Sequence, residues 1–240
     1  MLRISYDLHI HSCLSPCGDE DMTPANIVGM AAIKGLDVIA LTDHNSCKNC
    51  PAVMKFAEKY GVTVIPGMEL TTQEEVHVLC LFAGLSDAMR FDTYVYEHLM
   101  PFPNREDIFG RQLIYNEKDE ISGKVEHLLI NSTDISFDYV PEIVERFGGI
   151  MIPAHIEKSS NSLLHNLGFV PPDSRFRCVE VEDRAHAPKL REQNPYLKEC
   201  RIICNSDAHY LDRIHEREEF LEIRSLKPSD ILAALTGEEG

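Results

Sequence analysis

The sequence predicts an α/β fold built on a parallel sheet, either closed into a barrel or doubly wound. Short apolar runs rich in valine and isoleucine alternate with amphipathic helical stretches along most of the 240 residues. Repeated strand–helix units of this kind form parallel sheets. About seven such runs are compatible with a barrel, although hydrophobic periodicity alone does not show that the sheet closes.

The predicted elements follow one another with turn residues between them. Strands are predicted at residues 3–10, 37–41, 62–66, 76–83, 149–153, 178–182 and 201–205. Helices are predicted at residues 24–34, 51–60, 137–147, 187–192 and 228–236. Thr23 supplies an N-cap and Pro24 a first-turn proline for the first helix, which stops at Gly35.

Residues 98–136 break this pattern, because they are polar and contain Pro101, Pro103, Gly110 and Gly123. A long stretch without regular structure inside a compact domain is commonly functional. We interpret it as an insertion or lid within a single domain that spans residues 1–240.

The charge balance limits the classes of partner. The chain has 39 acidic and 23 basic residues and a formal net charge of -16, which argues against non-specific binding to nucleic acid. Carboxylates gathered at metal sites would have part of this charge cancelled by bound cations. The first residues show no export signal, and no apolar run approaches the ~18 residues of a membrane span, so we expect a cytoplasmic protein.

Histidines and carboxylates recur at the ends of the predicted strands. His9 and His11 alternate along the first strand and therefore share one face. Six further residues of this type lie at later strand ends or in a strand: His44, Glu69, His77, His155, Asp207 and His209. The carboxyl ends of parallel strands meet on one face. A lone histidine is more often a surface or core residue, but eight such residues favour a metal centre that offsets the cost of burying them.

The motifs around these residues resemble those of the PHP family, the polymerase and histidinol phosphatase superfamily of metal-dependent phosphoesterases. They occur in family order: Asp7-Leu8-His9-Ile10-His11-Ser12, Leu41-Thr42-Asp43-His44, Gly67-Met68-Glu69, Val76-His77-Val78-Leu79, Pro153-Ala154-His155 and Ser206-Asp207-Ala208-His209. The resemblance implies a distorted (β/α)7 TIM-like barrel that binds two or three divalent ions. Mixed imidazole and carboxylate ligands suit Zn, Mn or Fe.

The resemblance also implies which residues hold each ion. His9, His11, Glu69 and Asp207 would hold the first ion. Glu69 would bridge to a second ion held by His77 and His155. His44 and His209 would hold a third, together with a ligand from the loop after the first strand.

That loop is longer than the family pattern, so its ligand is open. Counting back from Thr23-Pro24 favours Asp19, with Glu20 and Cys17 as alternatives. Cys13, Cys17, Cys47 and Cys50 could instead bind a separate structural zinc ion, or be free thiols. Asp7 and Asp43 lie beside ligand histidines and are candidates to orient the imidazoles, or ordinary strand-end acids.

We expect hydrolysis of a small phosphomonoester, of the nucleotide or histidinol phosphate type, by a metal-activated water. Glu69, Asp207 and His209 are the predicted catalytic groups at the metals. Lys158 and Arg184 are the predicted contacts to the phosphate, with Arg105 and Arg111 as further candidates; each has a solvated surface cation as its alternative. The expected partner is a small phosphorylated substrate, with no nucleic acid and no membrane. The oligomeric state is not predicted.

Three other functions compete with this hypothesis. A nuclease or proofreading exonuclease of the same family is disfavoured by the net charge. A metal-dependent amidohydrolase usually needs a bridging carbamylated lysine, and no lysine lies at a suitable strand end. A non-catalytic, metal-stabilised binding module is disfavoured by the nearly complete ligand set.

Overall fold

The computed structural model describes residues 1–237, which form a mixed α/β fold around a curled six-stranded sheet. The strands are β1 Leu2–Ile10, β2 Val38–Leu41, β3 Thr63–Thr71, β4 His77–Phe82, β5 Leu113–Tyr115, β6 Ile121–Lys124, β7 Gly149–Pro153, β8 Cys178–Val181, β9 Arg201–Cys204 and β10 Phe220–Ile223. The α-helices are α1 Pro24–Ile33, α2 Cys50–Tyr60, α3 Leu85–His98, α4 Glu106–Phe109, α5 Val140–Arg146, α6 Leu163–Asn166, α7 Ala187–Gln193 and α8 Pro228–Thr236. Within this part of the chain, no helix is both long and apolar enough to span a membrane.

The main sheet has the strand order β10-β1-β2-β3-β4-β7 and contains both strand directions. β1, β2 and β3 are parallel, whereas β4 is antiparallel to β3 and β7, and β10 is antiparallel to β1. β8 and β9 form a separate parallel pair, which a single bridge from Ile10 to Ala208 connects to the end of β1. The α/β class is confirmed, but the expectation of a uniformly parallel sheet is wrong. Across residues 1–237 the ladders form a curled six-stranded sheet and two separate pairs, β5–β6 and β8–β9, so a full (β/α)7 barrel is not confirmed.

The reversal at β4 has a simple cause. β3 continues to Thr71, five residues beyond its predicted end, so only residues 72–76 connect it to His77 at the start of β4. A parallel crossover needs roughly a dozen residues or more, so this connection can only make a hairpin.

The 98–136 stretch begins where α3 ends and carries the short β5–β6 hairpin. The sequence predicted neither helix α3 nor this hairpin. It packs on the loops that follow β1 and β2. Asn45 Nδ2 donates to the Leu129 and Asn131 carbonyls at 2.7 and 2.8 Å, and the Leu113 amide donates to the Cys13 carbonyl at 3.1 Å. The stretch therefore lies beside the carboxyl ends of these strands, as a lid would, and its role remains a prediction.

Two apolar clusters occupy the two sides of the sheet. The inner cluster joins Leu8, Ile65 and Leu79 to Ile231 and Leu235 of α8, so that α8 covers the inside of the curled sheet. The outer cluster joins the other face to α1, α2, α3 and α5. The predicted start of α1 is confirmed, since the Thr23 hydroxyl accepts the Asn26 amide.

Candidate metal centre

An irregularity in β1 determines where its two histidines point. Leu8 packs inside the curled sheet, whereas Ile10 packs on the helix side, and the register with β2 shifts between Asp7 and Ile10. A bulge of this kind re-aims side chains and is common next to active sites. Here it turns both His9 and His11 toward the inner edge of the sheet, where they are fully buried.

The β3–β4 hairpin places Glu69 and His77 at the same edge. Thr71 pairs with His77 and Glu69 with Leu79 across the antiparallel ladder. Because β4 runs in the opposite direction, its first residue lies beside the last residues of β3. His77 therefore joins the carboxyl-end cluster although it begins its own strand.

The remaining candidates lie in loops that leave the strands. His44 follows β2 and bridges to Glu69, His155 follows β7, and Asp207 and His209 follow β9. His155 and Asp207 have left-handed backbone, with φ of 29° and 49°. Such conformations cost non-glycine residues roughly 1–3 kcal/mol each and tend to persist at functional sites.

Four of the predicted ligands converge with the spacing that a metal ion requires. His9 Nε2 lies 3.1 Å from His11 Nε2, 3.4 Å from Glu69 Oε1 and 3.4 Å from Asp207 Oδ1. His11 Nε2 lies 3.4 Å from the same Asp207 oxygen. Ligands bound at about 2.1 Å around a tetrahedral ion lie about 3.4 Å from one another. The predicted first ligand set is thus brought together as a group that could hold an ion.

The Glu69 carboxylate contacts several of the candidate histidines. His77 Nδ1 and His155 Nε2 lie 2.9 and 3.1 Å from its Oε1, and His44 Nδ1 lies 3.1 Å from its Oε2. His44, Glu69 and His77 form a second group suited to an ion, with His155 on the same carboxylate oxygen. A carboxylate shared in this way can bridge two ions.

Three imidazoles form a third group. The nitrogens of His11, His44 and His209 lie within 4.8 Å of one another, and the His11 ring stacks on His209 with centroids 4.2 Å apart. Burial, followed by the positive charge of His11, lowers the pKa of His209 to about 3. His209 thus favours the neutral form that a metal requires.

Glu180, which the sequence reasoning missed, fixes the orientation of His9. This buried residue in β8 lies 3.0 and 3.1 Å from His9 Nδ1 through its two oxygens and also accepts the His155 amide and Asn205 Nδ2. With its Nδ1 proton held by Glu180, His9 directs Nε2 at the cluster, where a metal ion would take the place of a proton. The available signal was an acid inside the apolar run Cys178-Val-Glu-Val181.

We expect Glu180→Gln to weaken metal binding roughly 10–100-fold, because an amide holds the His9 proton less strongly than a carboxylate. Competition against a chromophoric chelator would measure the affinity. Glu182→Gln, at an exposed position two residues away, is the matched control. Equal affinities for the two variants would contradict this role.

Asp43 acts on the histidines through a serine. The Ser15 hydroxyl donates to Asp43 Oδ1 at 2.7 Å and lies 2.9 Å from His11 Nδ1, so that His11 also presents Nε2 to the cluster. Asp7 has a different task. Its carboxylate accepts the Ser206 and His215 amides and so anchors the loop after β9 rather than an imidazole.

The predicted phosphate contacts are not all at the site. Lys158 lines a cleft of about 170 Å³ over the cluster, and its Nζ lies 2.7 Å from Asp207 Oδ2. Arg184 is paired with Glu219 and does not line this cleft. Arg105 and Arg111 pair with Asp107 and Glu20.

The Asp19 carboxylate is absent from all three ligand groups of residues 1–237. Its Oδ1 accepts the Asp21 amide instead, at 2.9 Å.

The alternative four-cysteine zinc site is not formed. Cys47 and Cys50 turn into the outer core and both donate to the Gly67 carbonyl, whereas Cys17 is exposed.

The cluster has an internal electrostatic conflict that cations resolve. Burial would raise the pKa of Glu69, yet the charges of His77 and His9 hold it well below its usual range. Burial likewise opposes a charged Asp207, but His9 and His11 lower its pKa. His44 Nδ1 and His155 Nδ1 are buried without a hydrogen-bond partner. Buried anions surrounded by imidazole lone pairs fit divalent ions.

The sequence matches the PHP domain family over residues 7–166, which is more than half of the chain. The chain belongs to the PHP domain family. The match includes six of the predicted metal ligands at the site and ends before Glu180, Asp207 and His209, which the fold adds to the cluster.

Individual relatives share short segments. A 5'-3' exoribonuclease of Haemophilus influenzae is 33% identical over 79 residues, 32% of this chain and 28% of that protein. A phosphoribosyl 1,2-cyclic phosphate 1,2-diphosphodiesterase of Eggerthella lenta is 31% identical over 80 residues, 31% of this chain and 29% of that protein. The chain therefore aligns with less than a third of either relative.

The fold is similar to that of a solved structure, the lesion-specific endonuclease EndoQ from Pyrococcus furiosus. The TM-score is 0.71 at 20% identity, covering 100% of this chain and 57% of the endonuclease chain. At this identity the likeness concerns the fold.

Proposed function

We propose that this protein is a metal-dependent phosphoesterase that hydrolyses a small phosphomonoester. The observation that carries the proposal is the cleft of about 170 Å³ whose lining includes Glu69, His155 and Asp207, with the Lys158 ammonium among the same residues. Divalent ions bound at Glu69 would supply the positive charge that polarises a phosphoryl group and activates water.

The residues of the chain have distinct tasks in this proposal. Glu69, Asp207 and the histidines would hold the ions at the cluster. Lys158 carries the one ammonium among the residues lining the cleft, and its contact with Asp207 holds it beside the first ligand group. It would bind a non-bridging phosphoryl oxygen and offset the charge of an anionic substrate that enters a protein of net charge -16.

The size of the cleft supports a small substrate. Sites that enclose a drug-sized ligand typically have volumes of about 300–1,000 Å³, well above that of this cleft. A phosphoryl group fits the cleft, with its leaving group at the mouth beside Ser160 and Asn161. The 98–136 insertion and the loop that carries Ser160 and Asn161 would then determine which leaving groups the site accepts.

A substrate panel tests the proposal. Protein loaded with Mn²⁺ should hydrolyse p-nitrophenyl phosphate, nucleoside monophosphates or histidinol phosphate faster than the diester bis(p-nitrophenyl) phosphate. A single-stranded oligonucleotide should be cut slowly or not at all. Turnover of diesters alone would overturn the phosphomonoester assignment.

A nuclease is the second candidate, and the comparisons favour it specifically. Both the exoribonuclease and the endonuclease act on nucleic acid by their names, and the endonuclease shares the fold over the whole chain. Cleavage of 5'-labelled oligonucleotides that Glu69→Gln abolishes would establish this alternative.

We expect Lys158→Met to lower kcat/KM for the preferred phosphate ester about 10–100-fold, since a charged hydrogen bond contributes roughly 1.5–3 kcal/mol. Arg184→Met is the matched control, because Arg184 pairs with Glu219 outside the cleft. Steady-state kinetics of the two variants would decide the matter. An equal loss in both would remove Lys158 from the substrate site.

A further inference from the structure

We propose that a cleft at the amino ends of β8 and β9 binds a small molecule that carries a diphosphate group. The cleft has a volume of about 370 Å³. Of the residues between 1 and 237 that line it, three are arginines, Arg177, Arg191 and Arg201, and one, Glu199, is acidic. The proposal does not depend on the proposed function, because the metal cluster lies at the carboxyl ends of the same strands.

The pairing of β8 with β9 brings the three arginines to one place. Arg201 lies opposite Cys178 in this parallel pair, and its amide donates to the Arg177 carbonyl at 2.9 Å. Arg191 reaches the same segment from α7, since its Nη2 donates to the Cys200 carbonyl at 3.1 Å. Backbone hydrogen bonds thus fix the positions from which the three guanidinium groups enter the cleft.

These arginines differ from most others of the chain, because no carboxylate neutralises them. Seven arginines elsewhere pair with an acidic side chain: Arg90, Arg105, Arg111, Arg175, Arg184, Arg213 and Arg217. In the part of the chain that the structure describes, Arg177, Arg191 and Arg201 form no such pair. The protein has 39 acidic residues, so a cluster of unpaired arginines stands out. Its charge is available to a ligand.

The balance of charge in the lining favours an anion with more than one negative charge. Three guanidinium groups and the Glu199 carboxylate give the lining a net charge of +2. Helix α8 ends at the cleft with Thr236 and Gly237, and the carboxyl end of a helix contributes about -0.5. The lining therefore keeps about +1.5, in a chain whose net charge is -16. A diphosphate group would neutralise it.

The shape of the cleft fits the same class of ligand. The planar fork of an arginine donates two parallel hydrogen bonds to a phosphate, so three forks can hold the oxygens of two linked phosphates. The volume of about 370 Å³ lies in the range of about 300–1,000 Å³ that is typical of small-molecule sites. The cleft over the metal cluster has only about 170 Å³. The arginine cleft thus has room for the phosphates and part of the group that carries them.

The arginine cleft and the metal cluster are separate sites. Arg177 precedes Glu180 by three residues, which corresponds to about 10 Å along a strand. Glu180 holds His9 at the other end of β8. A ligand bound between the arginines therefore needs no metal ion, and its binding can be measured with the metals present or removed.

Calorimetric titration with methylenediphosphonate, a diphosphate analogue that resists hydrolysis, tests the proposal. The metal-loaded protein and the protein freed of metal and chelator are titrated at neutral pH. We expect a site that is present in both forms. Its Kd should rise about 10-fold or more in Arg177→Gln and in Arg201→Gln, since each change removes charged hydrogen bonds. Arg175→Gln is the matched control, because Arg175 pairs with Glu145, and it should bind like the native protein.

Thermal unfolding without ligand distinguishes a binding site from a structural role. Arg177→Gln and Arg201→Gln each remove one of three like charges that repel one another, so neither variant should have a lower Tm than the native protein. A lower Tm in both variants would show that the arginines support the fold, and would overturn the proposal.

Three binding results would also overturn it. They are equal Kd values in the native protein and all three variants, binding in the metal-loaded form alone, and tighter binding of a single-stranded oligonucleotide than of the diphosphonate through the same arginines. The last result would make nucleic acid the ligand. None of these measurements involves turnover, so the failure of the proposed function and the failure of this site are distinguishable.

Discussion

Glu69→Gln is expected to reduce bound metal below about one ion per chain and to lower kcat/KM by on the order of 1,000-fold or more, because loss of a supporting partner alone costs roughly 10–100-fold. The reason is the position of this side chain. Its two oxygens contact the ring nitrogens of five histidines at 2.9–3.4 Å. An amide at the same place has only one oxygen with lone pairs for a metal and so cannot bridge two ions, while its NH₂ group would donate to ring nitrogens that should bind metal.

Elemental mass spectrometry and steady-state kinetics with the best substrate measure the two parts of this expectation. Glu74→Gln is the matched control, since Glu74 lies five residues away and accepts hydrogen bonds from Ser136 and the Phe137 amide. It should keep its metal and its activity. A Glu69→Gln protein with the native metal content would contradict the role of Glu69 as the shared ligand.

Removing the metal is expected to make stability strongly dependent on pH. In the metal-free protein burial opposes protonation of His11 and His44. The hydrogen bonds of His11 to Asp207 and Glu69 outweigh burial and raise its pKa to about 9. The negative charge of Glu69 does the same for His44, whose pKa is also raised to about 9. Protons then take the place of cations between the buried carboxylates and the imidazoles.

The metal-free protein is expected to lose stability as pH rises. Both folded pKa values lie above the unfolded value of 6.5, so the stabilisation is fully present below pH 6.5 and is lost as pH rises through 9. His209 has a lowered pKa of about 3 and is neutral throughout this range. The free energy of unfolding of the metal-free protein should therefore fall by a few kcal/mol, at about 1.4 kcal/mol per pKa unit.

Bound ions should reverse this trend, because protons compete with metal for the same nitrogens and the competition weakens as pH rises. The difference in Tm between the metal-loaded and chelator-treated protein should thus grow from pH 6.5 to pH 9. Calorimetry at the two ends of the range measures it. A metal-free protein that is equally stable or more stable at the alkaline end would contradict the expectation.

Much of the site could be predicted from the sequence because its ligands lie in short local motifs. Three short motifs each place two polar residues at one strand end: the alternating pairs His9/His11 and Asp207/His209, and the consecutive pair Asp43-His44. The strand–helix rhythm likewise predicted the α/β class. Glu180 was missed because a single acid in an apolar strand has no local partner that marks it. Its partner, His9, lies 171 residues away.

The sequence by itself determined the family, the α/β class and the residue types of the metal cluster, since these depend on short-range patterns. Only the tertiary structure decided how those residues meet. The bulge in β1 turned its histidines inward, and the short β3–β4 connection forced the hairpin that brings His77 to Glu69. The turn of the loop after β1 placed the Asp19 carboxylate on the Asp21 amide, outside the ligand groups. The path of β1 and its loop depends on backbone hydrogen bonds to distant segments, such as His11 to Ala208, and the hairpin depends on where β3 ends, which the apolar pattern did not show.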